Sequence, residues 1–466
     1  MIKAIINFDL DHNSQQPIVN PNISVYYRKG DIVHIASAKY QDEKLWYILE
    51  NGIMVDSHFA DTEAYSGVDE VDRNQFFLCY RKLDANNNPS LDEETPPDKL
   101  YFSQLTTPGD SHRFMVNHWD QNTFVNAVMQ SVGQLSIERK HVFIYIHGFD
   151  WEPGLKLDLP ASFVQSYMNH PANSIAKIIY FGWPSTGWRT KADDKAIQAG
   201  EHFTKMNFFS YFKQLSDALK AEGKYLNLIV HSFGHQLLNG MINPGEDHVE
   251  KVPEKIFEHI FLMAPDITHL AIQKNGVVLR NQKKTRKGKH YLYNYTPLKR
   301  LGSNVHIYYN ELDYLLYLST QKFNGNKSIG KFDTKPDSKG ITTDYRNLGN
   351  YGNTLFNSPD SDLILEVGFN FFDVQDLLKT ETPDDPLYYP FQNLKDENTR
   401  QIIRNIRQTS NYEGMALLDT FWNRHSLMTH HQYLFTCRPV VDHLLSLLNK
   451  VPDIPGMAEE EEEIIA

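Results

Sequence analysis

The sequence predicts an α/β protein with a mostly parallel sheet, preceded by a small all-β module. Two observations support this prediction. Apolar, β-branched runs recur from residue 75 onward, and segments with helical spacing separate most of the later runs. The first 60 residues instead form short stretches in which apolar and polar side chains alternate. Alternating strands and helices give parallel sheets with right-handed crossovers, so the larger part should be a layered α/β domain.

Residues 1–60 contain three strand predictions: NISVYY, KGDIVHI and LWYILENGIMV. Asn51 and Gly52 supply a hairpin turn within the third of them. The order of Gly30-Asp31, Trp46 and Gly52 resembles bacterial SH3-like modules, which implies a docking site for a protein partner. The alternative is a β extension packed on the main domain. The polar residues 61–74 are predicted to be a linker.

The main domain is predicted to span residues 75–450 and to hold eight strands. These are FFLCYRKL, KLYFSQL, HVFIYIHG, KIIYFGW, LNLIV, HIFLMAP, VHIYY and LILEV. The segments DLPASFVQSYMNHP and KAIQAGEHFTKMNFFSYFKQLSDALKAEG are predicted to be helical, the second as one long helix whose aromatic group FFSYF belongs to the core. Residues 320–362, rich in Gly, Asn, Asp and Lys, are predicted to form a lid-like insertion.

Composition and charge exclude several classes of function. The net charge is -12, and five glutamates lie in the tail 451–466, which is predicted to be disordered. This charge speaks against a nucleic-acid partner, and the basic run RNQKKTRKGKH is interpreted as a surface loop. Two cysteines are too few for a disulfide framework or a thiolate metal site. We find neither a signal sequence nor 18 consecutive apolar residues, and therefore expect a cytoplasmic protein without a transmembrane segment.

The stretch LNLIVHSFGHQLL predicts a nucleophilic serine. A strand that runs through His-Ser-x-Gly directly into a helix places its serine on a strained turn. Ser232 would occupy this turn as a nucleophile. The residues two before and two after such a serine are usually small. Gly234 follows that rule and Val230 does not, so Val230 would crowd and strain this turn, at a cost that a folded domain can carry.

Two backbone amides are predicted to form an oxyanion hole. The Phe233 amide follows Ser232 at the start of a helix, where the helix dipole favours negative charge. The segment HVFIYIHGFD ends a strand at His147-Gly148, so the chain can turn and present the Phe149 amide.

A general base and its orienting acid are expected after the serine in the chain. Asp313 follows the strand VHIYY, although it is equally suited to cap the helix that begins there. Asp266 is an alternative acid, and its other interpretation is a structural role at a helix start. The base is one of three histidines near the C-terminus: His425, His430 or His431.

A set of motifs in fixed order resembles the DUF900 family of α/β-hydrolases. It comprises IYIHGF, IIYFGWPSTG, LNLIVHSFG, IFLMAPDI, VHIYYNELDYLLYLS, YRNLG and HHQYLFTCRPVVDHLLSLL, from about residue 75 to 450. The resemblance implies the α/β-hydrolase fold and a triad of Ser232, Asp313 and His431. It favours His431 over His430 because an aromatic residue, here Tyr433, follows the family's histidine by two positions.

The sequence is interpreted as a serine hydrolase that cleaves carboxylic esters, including lipid or other acyl esters, without a metal or other cofactor. The alternative is a catalytically inactive hydrolase fold that serves as a binding or scaffolding protein, and Val230 is the feature that favours it. A third hypothesis, a metal site of the C-terminal histidines with Asp313 or Asp266, lacks the usual ligand spacing.

Overall fold

The computed structural model describes two compact units, Met1–Glu63 with Asp442–Ala466 and Ala64–Val441. The described residues are 2–6, 10–11, 25–28, 31–41, 44–56, 60–62, 75–82, 97, 99–105, 120–148, 167–168, 170–185, 189–280, 290–310, 313, 315–316, 319, 346–357, 363–378, 431 and 433–450. The residues predicted as a disordered tail, most of the lid-like insertion, nearly all of the segment DLPASFVQSYMNHP and the centre of the basic run lie outside these ranges.

The first unit contains a five-stranded antiparallel sheet in the order β6-β5-β4-β1-β7 and a two-stranded pair β2-β3. These strands are β1 Ile2–Ile6, β2 Leu10–Asp11, β3 Val25–Tyr27, β4 Ile32–Gln41, β5 Lys44–Leu49, β6 Met54–Asp56 and β7 Ala60–Thr62. The hairpin at Asn51-Gly52 joins β5 to β6, as predicted. Strand β7 extends into the predicted linker, because Asp61 and Thr62 pair with β1.

The second unit is built on an eight-stranded sheet in the order β17-β16-β13-β12-β10-β11-β8-β9. Its strands are β8 Gln75–Cys79, β9 Tyr101–Leu105, β10 His141–Ile146, β11 Ile175–Gly182, β12 Tyr225–His231, β13 Phe257–Met263, β16 Gly302–Tyr309 and β17 Phe369–Asp373. All neighbours are parallel except the edge strand β9. Strands β10, β11 and β12 are buried along almost their whole length, as expected for a parallel sheet covered on both faces.

The prediction of a strand at LILEV is wrong, and the eighth strand lies directly after it at Phe369–Asp373. Ile364 and Val367 of the LILEV run are 64% and 77% exposed, and only Leu365 makes an isolated bridge, to Gln273. Apolar composition alone does not distinguish an exposed run from a strand that pairs with β16. Strands β14 Val277–Arg280 and β15 His290–Tyr293 form an antiparallel pair that was not predicted. The first and last residues of the basic run, Arg280 and His290, belong to these two strands.

The predicted long helix is two helices, Arg189–Lys205 and Phe209–Ala221. The break lies at Asn207, whose φ of 58° is incompatible with a continuous right-handed helix. Phe208, Phe209 and Phe212 are buried in the core, which confirms the interpretation of the FFSYF group. The other described α-helices are Gln121–Gly133, Gly234–Ile242, Leu298–Leu301, Leu348–Tyr351, Val374–Leu378, Tyr433–Thr436 and Arg438–Asn449.

The parallel order brings the ends of four neighbouring strands to one edge of the sheet. Strands β10, β12, β13 and β16 lie side by side in register and point the same way. The segments that follow them begin at His147, Ser232, Ala264 and Asn310. In open α/β sheets, ligands bind at the carboxyl ends of the strands, so this edge is the place to look for a functional site.

Candidate active site

Ser232 lies on a sharp turn between β12, which ends at His231, and the helix that begins at Gly234. Its φ is 53°, a conformation that costs a non-glycine residue about 1–3 kcal/mol. Hydrogen bonds hold the turn in place. The Ser232 amide donates to the Met263 carbonyl at 3.0 Å, and the Ser232 carbonyl accepts from the amide and Nδ1 of His235 at 3.1 and 2.8 Å. Bonds of this kind each contribute about 0.5–1.5 kcal/mol and offset the strain.

This turn requires a small residue at position 234 and not at position 230. A Cβ on Gly234 would lie 2.7 Å from the His147 carbonyl oxygen, and its three nearest neighbours all belong to Ile146 and His147. Val230 is fully buried in the core, in register with Ile146 on one side and Leu262 on the other. Its side chain is therefore accommodated as an ordinary strand residue, and the turn forms despite the valine.

His431 connects Ser232 to Asp313. Its Nδ1 lies 2.7 Å from the Asp313 Oδ2, and its Nε2 lies 2.7 Å from the Ser232 Oγ. Because a carboxylate only accepts, Nδ1 carries the hydrogen, and the Ser232 hydroxyl then donates to Nε2. All three residues are buried, with at most 6% of each exposed. An imidazole placed in this way can remove the hydroxyl proton when the oxygen attacks a carbonyl.

The Asp313 carboxylate makes contacts of both kinds that the sequence left open, one to a histidine and one to a backbone amide. Its Oδ2 accepts from His431, while its Oδ1 accepts from the Leu316 amide at 3.1 Å. The Asn350 side chain donates to the Asp313 carbonyl at 2.8 Å and fixes the backbone. The amide of Leu316 therefore orients the carboxylate toward His431, and the capping interaction supports the contact with the imidazole.

The Asp266 carboxylate lies in a different hydrogen-bond network from that of His431. Its Oδ1 accepts from the Ser319 hydroxyl and the Asn347 side chain, both at 2.7 Å. Its amide donates to the Ser232 carbonyl at 3.3 Å. Asp266 follows β13, Ser319 follows β16, and Asn347 belongs to the motif RNLG, so these contacts join three segments of the chain. They support a structural role for Asp266. His425 and His430 lie outside the described residues.

The glycine before the predicted Phe149 amide packs directly against the serine. A Cβ on Gly148 would lie 2.8 Å from the Ser232 Cβ and 3.3 Å from its Oγ. The His147 ring donates from Nδ1 to the Gly148 carbonyl at 2.7 Å. Phe149 itself lies outside the described residues, so the role of its amide stays a prediction. The Phe233 amide lies at the start of the helix, as predicted.

Trp183, at the end of β11, fixes the conformation of His147. Its indole Nε1 donates to the His147 carbonyl at 3.0 Å, and its backbone amide donates to His147 Nε2 at 3.3 Å. The two rings stack, and the Trp183 ring also stacks on Phe233. The motifs GWPS, HG and HSFG thus meet at one place. The sequence contained all three, but it gave no sign that β11 and β12 both flank β10.

Two further histidines next to the serine were not predicted to have a role. Burial is the main cause that lowers the pKa of His231 to about 3, and the charge of His431 contributes in the same direction. Burial likewise lowers the pKa of His235 to about 3. Both rings are therefore neutral near pH 7. They add no positive charge beside His431.

Tyr433, the aromatic residue two positions after His431, forms hydrogen bonds with the sheet. Its hydroxyl donates to the Tyr308 carbonyl at 2.8 Å and accepts from the Ala264 amide at 2.5 Å. Tyr308 lies in β16, and Ala264 directly follows β13. The side chain thus attaches the turn that carries His431 to the ends of two sheet strands.

Comparison with known families supports the fold. Residues 126–350 match the model of the DUF900 family, described as an alpha/beta hydrolase of unknown function. With the eight-stranded, mostly parallel sheet, this match shows that the second unit has the α/β-hydrolase fold. The matched range includes Ser232 and Asp313 and ends before His431. Neither the comparison with curated proteins nor the comparison with solved structures gave a match.

The described part of the chain shows neither a cluster of metal ligands nor a membrane-spanning helix. Within those residues, no three His, Cys, Asp or Glu side chains are grouped so that they could hold a metal ion. None of the described helices is long and apolar enough to cross a membrane.

Proposed function

We propose that this chain is a serine hydrolase that cleaves carboxylic esters through an acyl-enzyme. The observation that supports it most directly is the hydrogen-bonded chain from Ser232 through His431 to Asp313, with 2.7 Å at each link. The positive φ of Ser232 is a second, independent support, because strained backbone at a buried polar residue is typical of functional sites.

In the proposed reaction, His431 Nε2 takes the hydroxyl proton as Ser232 Oγ attacks the ester carbonyl. The Asp313 carboxylate holds the hydrogen on Nδ1 and stabilises the imidazolium that forms. The amides of Phe233 and Phe149 donate to the tetrahedral oxyanion. His431 then gives its proton to the leaving alcohol, and the acyl group remains on Ser232. Water, deprotonated by the same imidazole, releases the acid and restores the hydroxyl.

The substrate class proposed is a hydrophobic ester, including lipid and other acyl esters. Binding sites for small molecules are mostly apolar, with few polar groups that fix orientation. Trp183 and Phe233 stack beside the turn that carries Ser232, but both rings are buried in the core, so the proposed substrate class rests on this general property of binding sites. A docking role of the N-terminal module for a protein partner stays a prediction.

Labelling with a fluorophosphonate tests the proposal. The probe reacts with a serine hydroxyl that a neighbouring base activates, so we expect one labelled site at Ser232. The label should disappear in Ser232→Ala and remain in Ser319→Ala, a buried serine whose hydroxyl donates to Asp266. An unmodified, folded chain that takes up no label would refute the proposed activity.

The hypothesis of an inactive hydrolase fold depended on Val230. That side chain lies in the core and does not displace Ser232 from His431. We therefore do not propose the non-catalytic function as a second candidate.

Gly148→Ala is expected to lower kcat for a nitrophenyl ester by about 100-fold. The new methyl group would lie 2.8 Å from the Ser232 Cβ and would displace the serine. Displacing a reacting group by about 1 Å has an effect of this size. Gly133→Ala is the matched control, since no atom lies within 4 Å of a Cβ at Gly133. The ratio of the two kcat values, with melting temperatures recorded for both variants, checks the prediction. Equal kcat values would contradict it.

A further inference from the structure

His231 has no part in the proposed proton transfers, yet its side chain lies against the residue that performs them. It is the last residue of β12 and precedes Ser232. Its Nε2 lies 3.0 Å from the backbone carbonyl oxygen of His431, and the two rings have centroids 5.0 Å apart. Because a carbonyl oxygen only accepts, the His231 Nε2 carries the hydrogen and donates it.

The position of His431 decides whether the proposed site works. Both of its ring nitrogens must keep their 2.7 Å contacts, with partners 199 and 118 residues away in the chain. Tyr433 attaches the following residues to the ends of β13 and β16. The bond from His231 attaches His431 itself to the end of β12, the strand that also presents Ser232. The base and the nucleophile are therefore joined through one rigid strand as well as through their own contact.

Histidine suits this position because it donates without carrying charge. Burial is the main cause that holds the His231 pKa at about 3, so the ring stays neutral wherever His431 needs to accept a proton. The groups whose charges act on His231 are His431 and His235, and His235 is also neutral, with a pKa of about 3. A lysine or arginine donor would place a permanent positive charge beside the imidazolium and oppose its formation.

We propose that His231 is a positioning residue for the base: its Nε2 hydrogen bond to the His431 carbonyl holds the imidazole between Ser232 and Asp313. This inference rests on the proposed function. It extends that function because it assigns a task to the residue before the nucleophile. For this role, the side chain at position 231 must donate a hydrogen bond from the place of Nε2, and it need not transfer a proton.

Two amide variants test the inference. In His231→Gln, the side-chain amide can reach the position of Nε2 and donate to the His431 carbonyl. In His231→Asn, the same amide is one methylene shorter and cannot reach it. Two quantities are measured: the second-order rate constant of fluorophosphonate labelling and kcat for a nitrophenyl ester. In His231→Gln we expect both to stay within about 3-fold of the unmodified chain. In His231→Asn we expect both to fall about 10- to 100-fold, which is the effect of a misplaced catalytic group. KM should change little in either variant.

His269→Asn is the matched control. His269 is another fully buried histidine, and its ring donates to the Arg346 carbonyl through Nδ1, a position that the asparagine amide can occupy. This variant should label at the rate of the unmodified chain. Labelling of His231→Asn at that same rate would overturn the inference. So would equal losses in His231→Gln and His231→Asn, because the ring would then act only by filling space.

A spectroscopic measurement separates failure of this inference from failure of the proposed function. If the unmodified chain takes up no label, the ester hydrolase proposal fails. The proton on His431 Nδ1, shared with Asp313, should still give a low-field NMR signal. That signal should persist in His231→Gln and broaden or vanish in His231→Asn. The same signal in both variants would overturn the positioning role by itself.

Discussion

Replacing either Ser232 or His431 by alanine is expected to lower kcat for a nitrophenyl ester by about 10⁴- to 10⁶-fold, because each removes one end of the same proton transfer. Groups that act as a unit are not additive, so the double variant should be no slower than the slower single variant. Steady-state kinetics on a series of esters of increasing chain length measures the effect and also identifies the preferred acyl length.

The double variant provides the sharper part of this test. If Ser232 and His431 worked independently, the double variant would show the product of the two single losses. Such a product would contradict a shared proton transfer, even if both single variants were impaired. Background rates in the unmodified chain across the whole series would contradict ester hydrolysis itself.

Asp313→Asn is expected to reduce kcat by about 10⁴-fold with little change in fold, because it reverses the tautomer of His431. The asparagine oxygen can take the place of Oδ1 and continue to accept from the Leu316 amide. Its NH₂ group then faces His431 Nδ1, which must become an acceptor. The hydrogen moves to Nε2, and the ring can no longer accept the proton of Ser232.

Asp266→Asn is the control for this substitution. Asp266 is also a buried carboxylate near Ser232, but its recorded side-chain bonds are to Ser319 and Asn347. We expect a lower melting temperature and a kcat within a few-fold of the unmodified chain. Comparison of kcat for the two variants distinguishes the two acids. A loss of about 10⁴-fold in Asp266→Asn alone would assign the orienting role to Asp266.

The local conformation around the serine could be predicted from the sequence. An apolar strand, His-Ser-x-Gly and a helix define the turn, and the structure places Ser232 at φ 53° between β12 and the helix Gly234–Ile242. The effect of Val230 could not be predicted, because it depends on the neighbouring strands. Only the adjacent β10 shows that Ile146 and His147, and not Val230, surround Gly234.

The eighth strand shows a second limit of sequence patterns. LILEV and FNFFD follow one another and are both apolar, but only the second pairs with β16. Likewise, the segment KAIQAGEHFTKMNFFSYFKQLSDALKAEG has continuous helical spacing, although Asn207 divides it. Periodicity identifies which side chains can be buried. It does not identify the partner against which they are buried, and that partner determines where each element begins and ends.

From the residues alone it could be predicted that the main domain alternates strands and helices, that Ser232 lies on a strained turn, and that this turn requires a small residue at Gly234. These are local properties, which follow from spacing and from the steric demands of a few consecutive residues. The family resemblance implied the set Ser232, Asp313 and His431, but the contacts themselves are seen only in the folded chain: His431 lies between Ser232 and Asp313. The same holds for the Leu316 amide that donates to Asp313 and for the His231 ring that donates to the His431 carbonyl. Such contacts depend on the order of strands in the sheet, which arises from packing between residues far apart in the chain and leaves no local pattern.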